Sequence, residues 1–305
     1  MKKWWKLGLL AAVLVMLPGQ NEYQAVQLKP QAPKVRGVMV SPPTGGEVPV
    51  NAAGVKAPGL TARAAMVIEV ASGTVMYQKN AQIPLLPASI TKLMTALVAV
   101  DVYKLDEVLT VKRADEAIGQ SMGLRIGEKI TVENLVYGLL VKSGNDAALA
   151  LAENYPEGYT AFVEAMNQKA KTWQMTETVF KNVSGVEQWG HVTTVRDLAV
   201  LARVAVKHEV VAKMAATKSI TVSDESGAIK HELKNINQLL GQVEGLRGLK
   251  TGWTTNAGEC LITDTVRDGR EVITVVLGSE DRFGESAALI EWAFGNHEWK
   301  TIGSI

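Results

Sequence analysis

Hydrophobic residues recur at helical spacing in several blocks along the chain, and the first block begins at Ser89. Its apolar positions fall at i, i+1, i+4 and i+5, which places them on one side of a helix. The pattern predicts a helix over residues 89–100, with Ser89 in its first turn. The apolar stripe consists of Leu93, Met94, Leu97 and Val98.

Helical patterns continue through the middle of the chain. Thr131 opens a helix that ends at Ser143-Gly144-Asn145, and a new helix starts at Asp146. The tripeptide is therefore a short connector between two helices. Thr194, with Asp197 three residues later, resembles a capping box and predicts the start of another helix. Two more helices are predicted over 160–173 and 283–294.

Apolar runs and turn residues predict strands at both ends of the chain. Residues 64–70 and 74–77 read as a hairpin, and after residue 215 the period changes to two. Asp268-Gly269 is the strongest hairpin signal in the chain. This order predicts an α/β (α+β) fold, with an antiparallel sheet built from both ends of the chain, flanking helices and an inserted helical lobe. The later strands are predicted at 219–222, 231–233, 248–253, 258–266 and 271–278.

The N-terminal part of the chain has a different character. Lys2, Lys3 and Lys6 precede an apolar run over residues 7–17, which Pro18-Gly19 ends. A membrane span needs about 20 apolar residues, so this shorter run is typical of an export signal. We expect an export signal or retained anchor at 1–20, a linker rich in proline and glycine at 21–59, and one folded domain at 60–300.

Composition narrows the range of functions. Lys and Arg together number 32 and Asp and Glu 31, so charge gives no reason to expect nucleic acid as a partner. The single cysteine, Cys260, cannot form an intramolecular disulfide. The four histidines lack metal-ligand spacing, and no Cys-x-x-Cys occurs, so we expect no metal.

The Ser89 helix carries the first candidate chemistry. Lys92 lies one helical turn after Ser89, on the same side. A lysine can take the proton of a serine hydroxyl if burial or a second cation makes its ammonium unusually acidic. The alternative is a serine that caps the helix, followed by a solvated lysine.

Lys250-Thr251-Gly252 lies on a predicted late strand and could bind a peptide that bears a carboxylate. Lys250 would supply charge, Thr251 a hydrogen bond, and Gly252 room for the substrate backbone. The backbone N–H groups of Trp253 and Ser89 could both donate to one oxyanion. The alternative is a strand-end lysine next to a turn.

Ser89-x-x-Lys92, Ser143-x-Asn145 and Lys250-Thr251-Gly252 occur once each, in the order found in penicillin-binding proteins and class A β-lactamases. Over about residues 62–294 the chain resembles the low-molecular-mass penicillin-binding proteins, the D-alanyl-D-alanine carboxypeptidase/endopeptidase family. Gly144 stands where acidic residues are common in that family. Several stretches resemble the D,D-endopeptidase branch: Tyr155-Pro156-Glu157-Gly158-Tyr159, Thr194-Val195-Arg196-Asp197-Leu198, Asn235-Ile236-Asn237 and Lys250-Thr251-Gly252-Trp253-Thr254.

The resemblance implies a fold like that of β-lactamases and transpeptidases. It also implies hydrolysis of D-Ala–diaminopimelate cross-links in peptidoglycan through an acyl-enzyme, without a cofactor. The expected partners are muropeptides, with β-lactams as covalent inhibitors. The expected location is the periplasm, with membrane proximity through the N-terminus. The sequence ends soon after its last predicted helix, so we expect neither the β-rich domain nor the C-terminal helix of the larger carboxypeptidases.

The resemblance also implies a role for each motif residue. Ser89 is the nucleophile and Lys92 its base. Ser143 passes a proton towards the leaving amine, and Asn145 orients the acyl peptide. Lys250 keeps Lys92 poorly protonated and binds the carboxylate. The substrate-binding residues on the same strand are Thr251, Gly252 and Trp253.

Three alternatives stay open. The first is a D,D-carboxypeptidase that releases terminal D-alanine. The second is a β-lactamase, although no Glu-x-x-Leu-Asn occurs between Asn145 and Lys250. The third is a non-catalytic penicillin-binding sensor, which would not need a proton relay to a leaving group.

Overall fold

The computed structural model describes residues 46–113 and 119–301. The predicted export signal and most of the predicted linker lie outside the described residues. Seven α-helices occur in the described part of the chain, and we number them α1 to α7. They are α1 Lys92–Val102, α2 Val132–Val141, α3 Asn145–Glu153, α4 Gly158–Thr172, α5 Val195–Lys207, α6 Glu209–Ala215 and α7 Arg282–Gly295.

The described strands are numbered β1 to β11. They are β1 Glu47–Val50, β2 Ala64–Glu69, β3 Val75–Lys79, β4 Val108–Thr110, β5 Lys129–Thr131, β6 Ser219–Ser223, β7 Lys230–Lys234, β8 Leu246–Thr254, β9 Gly258–Arg267, β10 Arg270–Ser279 and β11 Glu298–Thr301.

The central element is a five-stranded sheet with the order β3-β2-β10-β9-β8, and its neighbouring strands are antiparallel. Strand β10, from the end of the chain, pairs with β2 from its beginning. The prediction of one antiparallel sheet assembled from both ends is therefore confirmed. The predicted turn at Asp268-Gly269 joins β9 to β10.

Side chains alternate along each strand, so both faces of this sheet carry apolar residues. Helices pack against each face. Val67 and Val272 belong to a cluster that includes Leu289 of α7. Met66 and Ile273, on the opposite face, belong to the main core together with α1 and α5. Strands β2, β9 and β10 are therefore buried on both sides over most of their length.

Helix α1 lies between the sheet and the helical lobe. It contacts α5 on the sheet side and α2, α3 and α4 in the lobe. Eight consecutive residues, 92–99, are buried. The sequence predicted a single apolar stripe, whereas burial surrounds the helix because both layers pack against it. This central position fixes the start of α1, where the Ser89 motif lies.

Two of the predicted helix N-termini have a side-chain N-cap. The Thr131 side chain accepts from the backbone N–H of Asn134, at 3.3 Å. The Thr194 side chain accepts from Asp197 N–H at 3.1 Å, as predicted. The Asp197 carboxylate, however, accepts from the hydroxyl of Thr178 at 2.7 Å. The second half of a reciprocal capping box is therefore replaced by a link to the segment before α5.

Short elements account for the differences from the sequence prediction. Glu47–Val50 lies inside the predicted linker but forms β1, which pairs with β11. Helix α6 and the two-stranded β4–β5 sheet were not predicted, and β6 with β7 forms a separate two-stranded sheet. Among the described residues, none of the helices is both long and apolar enough to cross a membrane.

Candidate active site

Ser89 lies in a 3₁₀ turn, Ala88–Thr91, that leads directly into α1. The Lys92 ammonium nitrogen Nζ is 2.8 Å from Ser89 Oγ. The Ser89 side chain does not cap the helix, and Lys92 is fully buried. The alternative of a capping serine followed by a solvated lysine is therefore wrong for this pair.

The environment of Lys92 favours its neutral form. Its Nζ also donates to the backbone carbonyl of Ser184, at 2.8 Å. Burial lowers the pKa of Lys92 well below its ordinary value, and the charge of Lys250 lowers it further, although Asp146 opposes both effects. A neutral amine 2.8 Å from a hydroxyl can accept that hydroxyl's proton.

Lys250 and Ser143 form a second pair of the same kind. Lys250 Nζ is 2.8 Å from Ser143 Oγ and 2.9 Å from the carbonyl oxygen of Thr251. Both side chains of the pair are buried. Burial, with a contribution from the Arg282 charge, lowers the pKa of Lys250 to about 7. Lys250 can therefore exist in both protonation states near neutral pH.

The connector between α2 and α3 places its polar residues by an unusual backbone path. Ser143 has a φ of 61°, a left-handed conformation that a residue with a Cβ seldom adopts. Asn145 begins α3, and its N–H donates to the carbonyl of Gln120 at 2.7 Å. A Cβ on Gly144 would lie 2.7 Å from an Asp146 carboxylate oxygen. A larger residue in place of Gly144 would therefore require the Asp146 carboxylate to move.

Gly252 lets β8 pack directly on the 3₁₀ turn Ala88–Thr91, which we call the serine turn. A Cβ at this position would lie 3.0 Å from both Ala88 Cβ and the Ser89 nitrogen. Thr251 precedes it, and its buried hydroxyl has no hydrogen-bond partner within residues 46–113 and 119–301. Trp253 follows it, with 60% of its surface exposed. Strand β8 therefore presents an unpaired hydroxyl, a bare backbone and an exposed indole in succession.

The predicted residues meet at one cleft of about 430 Å³. Lys92 and Lys250 join it through their hydrogen bonds to Ser89 and Ser143. All eight predicted site residues, seven from the three motifs together with Trp253, are thus brought together. Those that line the cleft directly are Ser89, Ser143, Asn145, Thr251, Gly252 and Trp253.

Three features of the site were not predicted. Arg282 lines the cleft and donates to the carbonyl of Gly252 at 2.8 Å. Ser184 contributes only its backbone carbonyl, so its side chain gives no signal in the sequence. Gly185 has a φ of 84°, and a Cβ there would overlap the Ala88 carbonyl. The sequence signal for this contact was limited to a glycine in a polar loop.

The described residues contain no cluster of three or more His, Cys, Asp or Glu side chains that could hold a metal ion. Cys260 is buried, and burial raises the pKa of its thiol to about 11.

Comparison with known proteins identifies relatives of the whole domain. A profile described as D-alanyl-D-alanine carboxypeptidase, peptidase family S11, matches residues 51–281. The chain is 34% identical over 246 residues to the D-alanyl-D-alanine carboxypeptidase DacF of Bacillus subtilis. That alignment covers 78% of this chain but spans only 63% of the Bacillus protein. The D-alanyl-D-alanine endopeptidase of Pseudomonas aeruginosa is 32% identical over 262 residues, with 84% of this chain and 82% of the relative covered.

The fold also matches a solved structure. The crystal structure of the Streptomyces K15 DD-transpeptidase superposes with a TM-score of 0.75 and 30% sequence identity. The match covers 79% of this chain and all of that one. The resemblance to low-molecular-mass penicillin-binding proteins, and the fold that it implied, are confirmed. The chain belongs to the D-alanyl-D-alanine carboxypeptidase family, peptidase family S11.

Proposed function

We propose that the chain is a serine D,D-peptidase of peptidoglycan, and specifically an endopeptidase that hydrolyses D-Ala–diaminopimelate cross-links. One observation supports the chemistry above all others. The buried Lys92 lies 2.8 Å from Ser89 Oγ, in the same cleft as the Lys250–Ser143 pair. A hydroxyl beside an amine with a lowered pKa is an activated nucleophile.

In the proposed acylation step, Ser89 Oγ bonds to the carbonyl carbon of the D-alanine residue, and its proton moves to Lys92 Nζ. The bond to the leaving amine then breaks, and that amine receives a proton through Ser143. Water hydrolyses the resulting ester and regenerates Ser89. Each general acid–base step is worth about 10²–10⁴-fold in rate.

Two backbone groups are proposed to stabilise the oxyanion. Gly252 allows β8 to approach the serine turn closely, which supports an arrangement in which the N–H groups of Ser89 and Trp253 face one site. One such donor contributes about 10²–10³-fold in rate. Asn145, at the start of α3, is proposed to orient the acyl peptide through its side-chain amide.

We propose that the carboxylate beside the scissile bond binds Lys250 and Thr251. The buried hydroxyl of Thr251 has no partner in the described part of the chain, so an incoming carboxylate would satisfy it. Arg282 adds a second cation to the same cleft. In a cross-link, the D-centre of diaminopimelate still carries a free carboxylate at this position, so the same cleft suits an endopeptidase.

The choice of endopeptidase is supported by the stretches that resemble this branch and by the Pseudomonas endopeptidase, of which 82% is covered. Carboxypeptidase activity is the second candidate, because the Bacillus relative with this name shares 34% identity. We also propose an exported enzyme of the periplasm with β-lactams as covalent inhibitors.

Digestion of purified muropeptides tests the proposal. An endopeptidase converts cross-linked dimers to monomers, whereas a carboxypeptidase releases free D-alanine from monomeric pentapeptides. Ser89→Ala should abolish either activity, together with covalent labelling by penicillin. Release of alanine without loss of dimers would replace the endopeptidase assignment, and labelling of the variant would refute the nucleophile. Rapid turnover of nitrocefin would instead favour a β-lactamase.

A further inference from the structure

The residue before Ser89 has a strained backbone. Ala88 has a φ of 48°, which is unfavourable for any residue with a Cβ. Such a conformation persists only when surrounding contacts enforce it. The backbone of Gly185 lies against the Ala88 carbonyl on one side, and Gly252 packs on the Ala88 methyl group on another. The serine turn is therefore held between two segments of backbone.

A side chain supplies the remaining restraint. The hydroxyl of Thr91 donates to the Ala88 carbonyl oxygen at 2.9 Å. The same hydroxyl lies 3.0 Å from Nε2 of His191. Thr91 Oγ1 and the His191 ring are both buried, so water does not compete for these bonds.

The bond between Lys181 and His191 determines which atom is the donor in each of these hydrogen bonds. The backbone N–H of Lys181 lies 3.4 Å from His191 Nδ1, and an amide N–H can only donate. We therefore assign Nδ1 as the acceptor and place the ring proton on Nε2. The ring then donates to Thr91 Oγ1, whose own proton goes to the Ala88 carbonyl. The chain Lys181–His191–Thr91–Ala88 has one donor and one acceptor at each link.

The surroundings of His191 keep its ring neutral, so the donors and acceptors in these hydrogen bonds stay the same. Its ring packs edge-on against Phe180, with ring centroids 5.9 Å apart. Burial and the charge of Lys181 lower the pKa of His191 to about 4. Thr91 and Phe180 do not titrate, so Lys181 is the charged group that acts on the ring. At neutral pH the imidazole is uncharged and can serve as a single donor towards Thr91.

We propose that Thr91 and His191 are positioning residues for the acylation step. Neither touches the reacting atoms. Through the Ala88 carbonyl, they fix the orientation of the Ala88–Ser89 peptide, and with it both the Ser89 hydroxyl and the Ser89 N–H. The proposal rests on the proposed function, because it takes Ser89 to be the nucleophile.

The first test compares two variants of Thr91. Thr91→Val keeps the shape of the side chain but removes the hydroxyl, whereas Thr91→Ser restores the hydroxyl without the methyl group. We expect Thr91→Val to lower the second-order rate constant for acylation by a fluorescent penicillin by roughly 10- to 100-fold. We expect serine at this position to recover most of that loss. Thermal unfolding of each protein, followed by circular dichroism, reports how much of it is folded.

A purely structural role predicts a different pattern. If folded Thr91→Val acylates as fast as the unaltered protein while its melting temperature falls, the positioning role of Thr91 is refuted. If the unaltered protein is not acylated, or if Ser89→Ala is still labelled, the proposed function fails instead. The two failures are therefore distinguishable.

The second test addresses His191 through pH. His191→Gln retains a donor near Nε2 but does not titrate. The acylation rate of the unaltered protein, divided by that of this variant, should stay constant between pH 8 and about 6. It should fall as the pH approaches 4, because only histidine gains a proton on Nδ1 and then loses its bond from Lys181. Protonation of Lys92 affects both proteins equally and cancels in the ratio. At pH 7, folded His191→Leu, which has no donor at the position of Nε2, should be acylated more slowly than His191→Gln. Equal rates for these two variants and the unaltered protein would refute the role of His191.

Discussion

At the scale of single residues, two buried lysines distinguish the cleft. Lys92 and Lys250 are both removed from water, and each is held by a serine hydroxyl and a backbone carbonyl. Burial penalises the ammonium form of each, so both amines are more acidic than an exposed lysine. A protein that keeps such groups gives up stability for reactivity.

Lys92→Met is expected to separate these two properties. Methionine fills a similar volume without an ionisable group, so the free energy of unfolding at pH 7 should rise by about 1–2 kcal/mol. Acylation by penicillin should fall by about 10²–10⁴-fold, because the base is lost. Urea denaturation and labelling kinetics measure the two effects.

Lys104→Met is the matched control, since Lys104 is exposed. It should change neither quantity appreciably. A Lys92→Met protein that is less stable than the unaltered one would show that the hydrogen bonds of Lys92 outweigh its burial.

We expect the ionisation of Lys250 to make substrate affinity depend on pH. Because its pKa lies at about 7, it is a cation below that pH and neutral above it. Binding of a carboxylate to the cation should therefore weaken as the pH rises through 7, by up to about tenfold per pH unit. The KM of a peptide with a free carboxylate beside the scissile bond measures this trend.

The same peptide with that carboxylate amidated is the control for Lys250. Its KM should not follow the ionisation of Lys250. Parallel pH profiles for the two peptides would assign the dependence to another group.

At the scale of elements, most helices and strands could be predicted, and the elements that were missed are all short. The predicted helices and sheet strands have residues that repeat over several turns or pairs. Helix α6 has seven residues and β4, β5 and β11 three or four, too few for a period to show. Strand β1 contains Pro49, and its local sequence pattern does not predict a strand. It forms because it pairs with β11 from the far end of the chain.

Some residues of the site could be predicted from the sequence and others could not. The polar side chains in the three motifs were predictable because each carries a functional group that the proposed chemistry requires. The carbonyl of Ser184, which holds Lys92, was not predictable, since any residue has one. Arg282 lies at the start of α7, and nothing in the sequence relates it to β8.

The loop around Gly185 is an element whose fit can be tested. Gly185→Ala should place a Cβ into the Ala88 carbonyl and also strain a φ of 84°. Gly227, with a φ of 75°, has no atom within 4 Å of the corresponding position. Gly227→Ala therefore reports the backbone strain alone.

We expect Gly185→Ala to cost about 2–3 kcal/mol more than Gly227→Ala in the free energy of unfolding, because of overpacking. It should also slow acylation, since the overlap falls on the serine turn. Denaturant titration of both variants checks the difference. Equal costs would show that the loop can move away from the turn.

At the scale of the whole molecule, the cleft is assembled from the sheet and the helical lobe together. Ser89 and Lys92 lie at the start of the central helix, Ser143 and Asn145 in the lobe, and Lys250 on β8. The sheet itself needs both ends of the chain, because β10 pairs with β2. Neither layer alone contains the full set of groups.

Loss of acylation and loss of secondary structure should therefore share one denaturation midpoint. We expect penicillin labelling and far-ultraviolet circular dichroism to report the same urea concentration at half-change, because opening of either layer dismantles the cleft. Labelling that disappears at a clearly lower urea concentration would show that the lobe separates before the sheet unfolds.

Strand β8 is an outer strand of the five-stranded sheet, with β9 on one side only. An extended peptide that lies along its other side would join the sheet as an additional strand. Main-chain hydrogen bonds of this kind are indifferent to side-chain identity, so a linear stem peptide and a bridged one would dock in the same way. Discrimination between them would then depend on side chains rather than on the main chain of the strand, and the exposed indole of Trp253 is one such group.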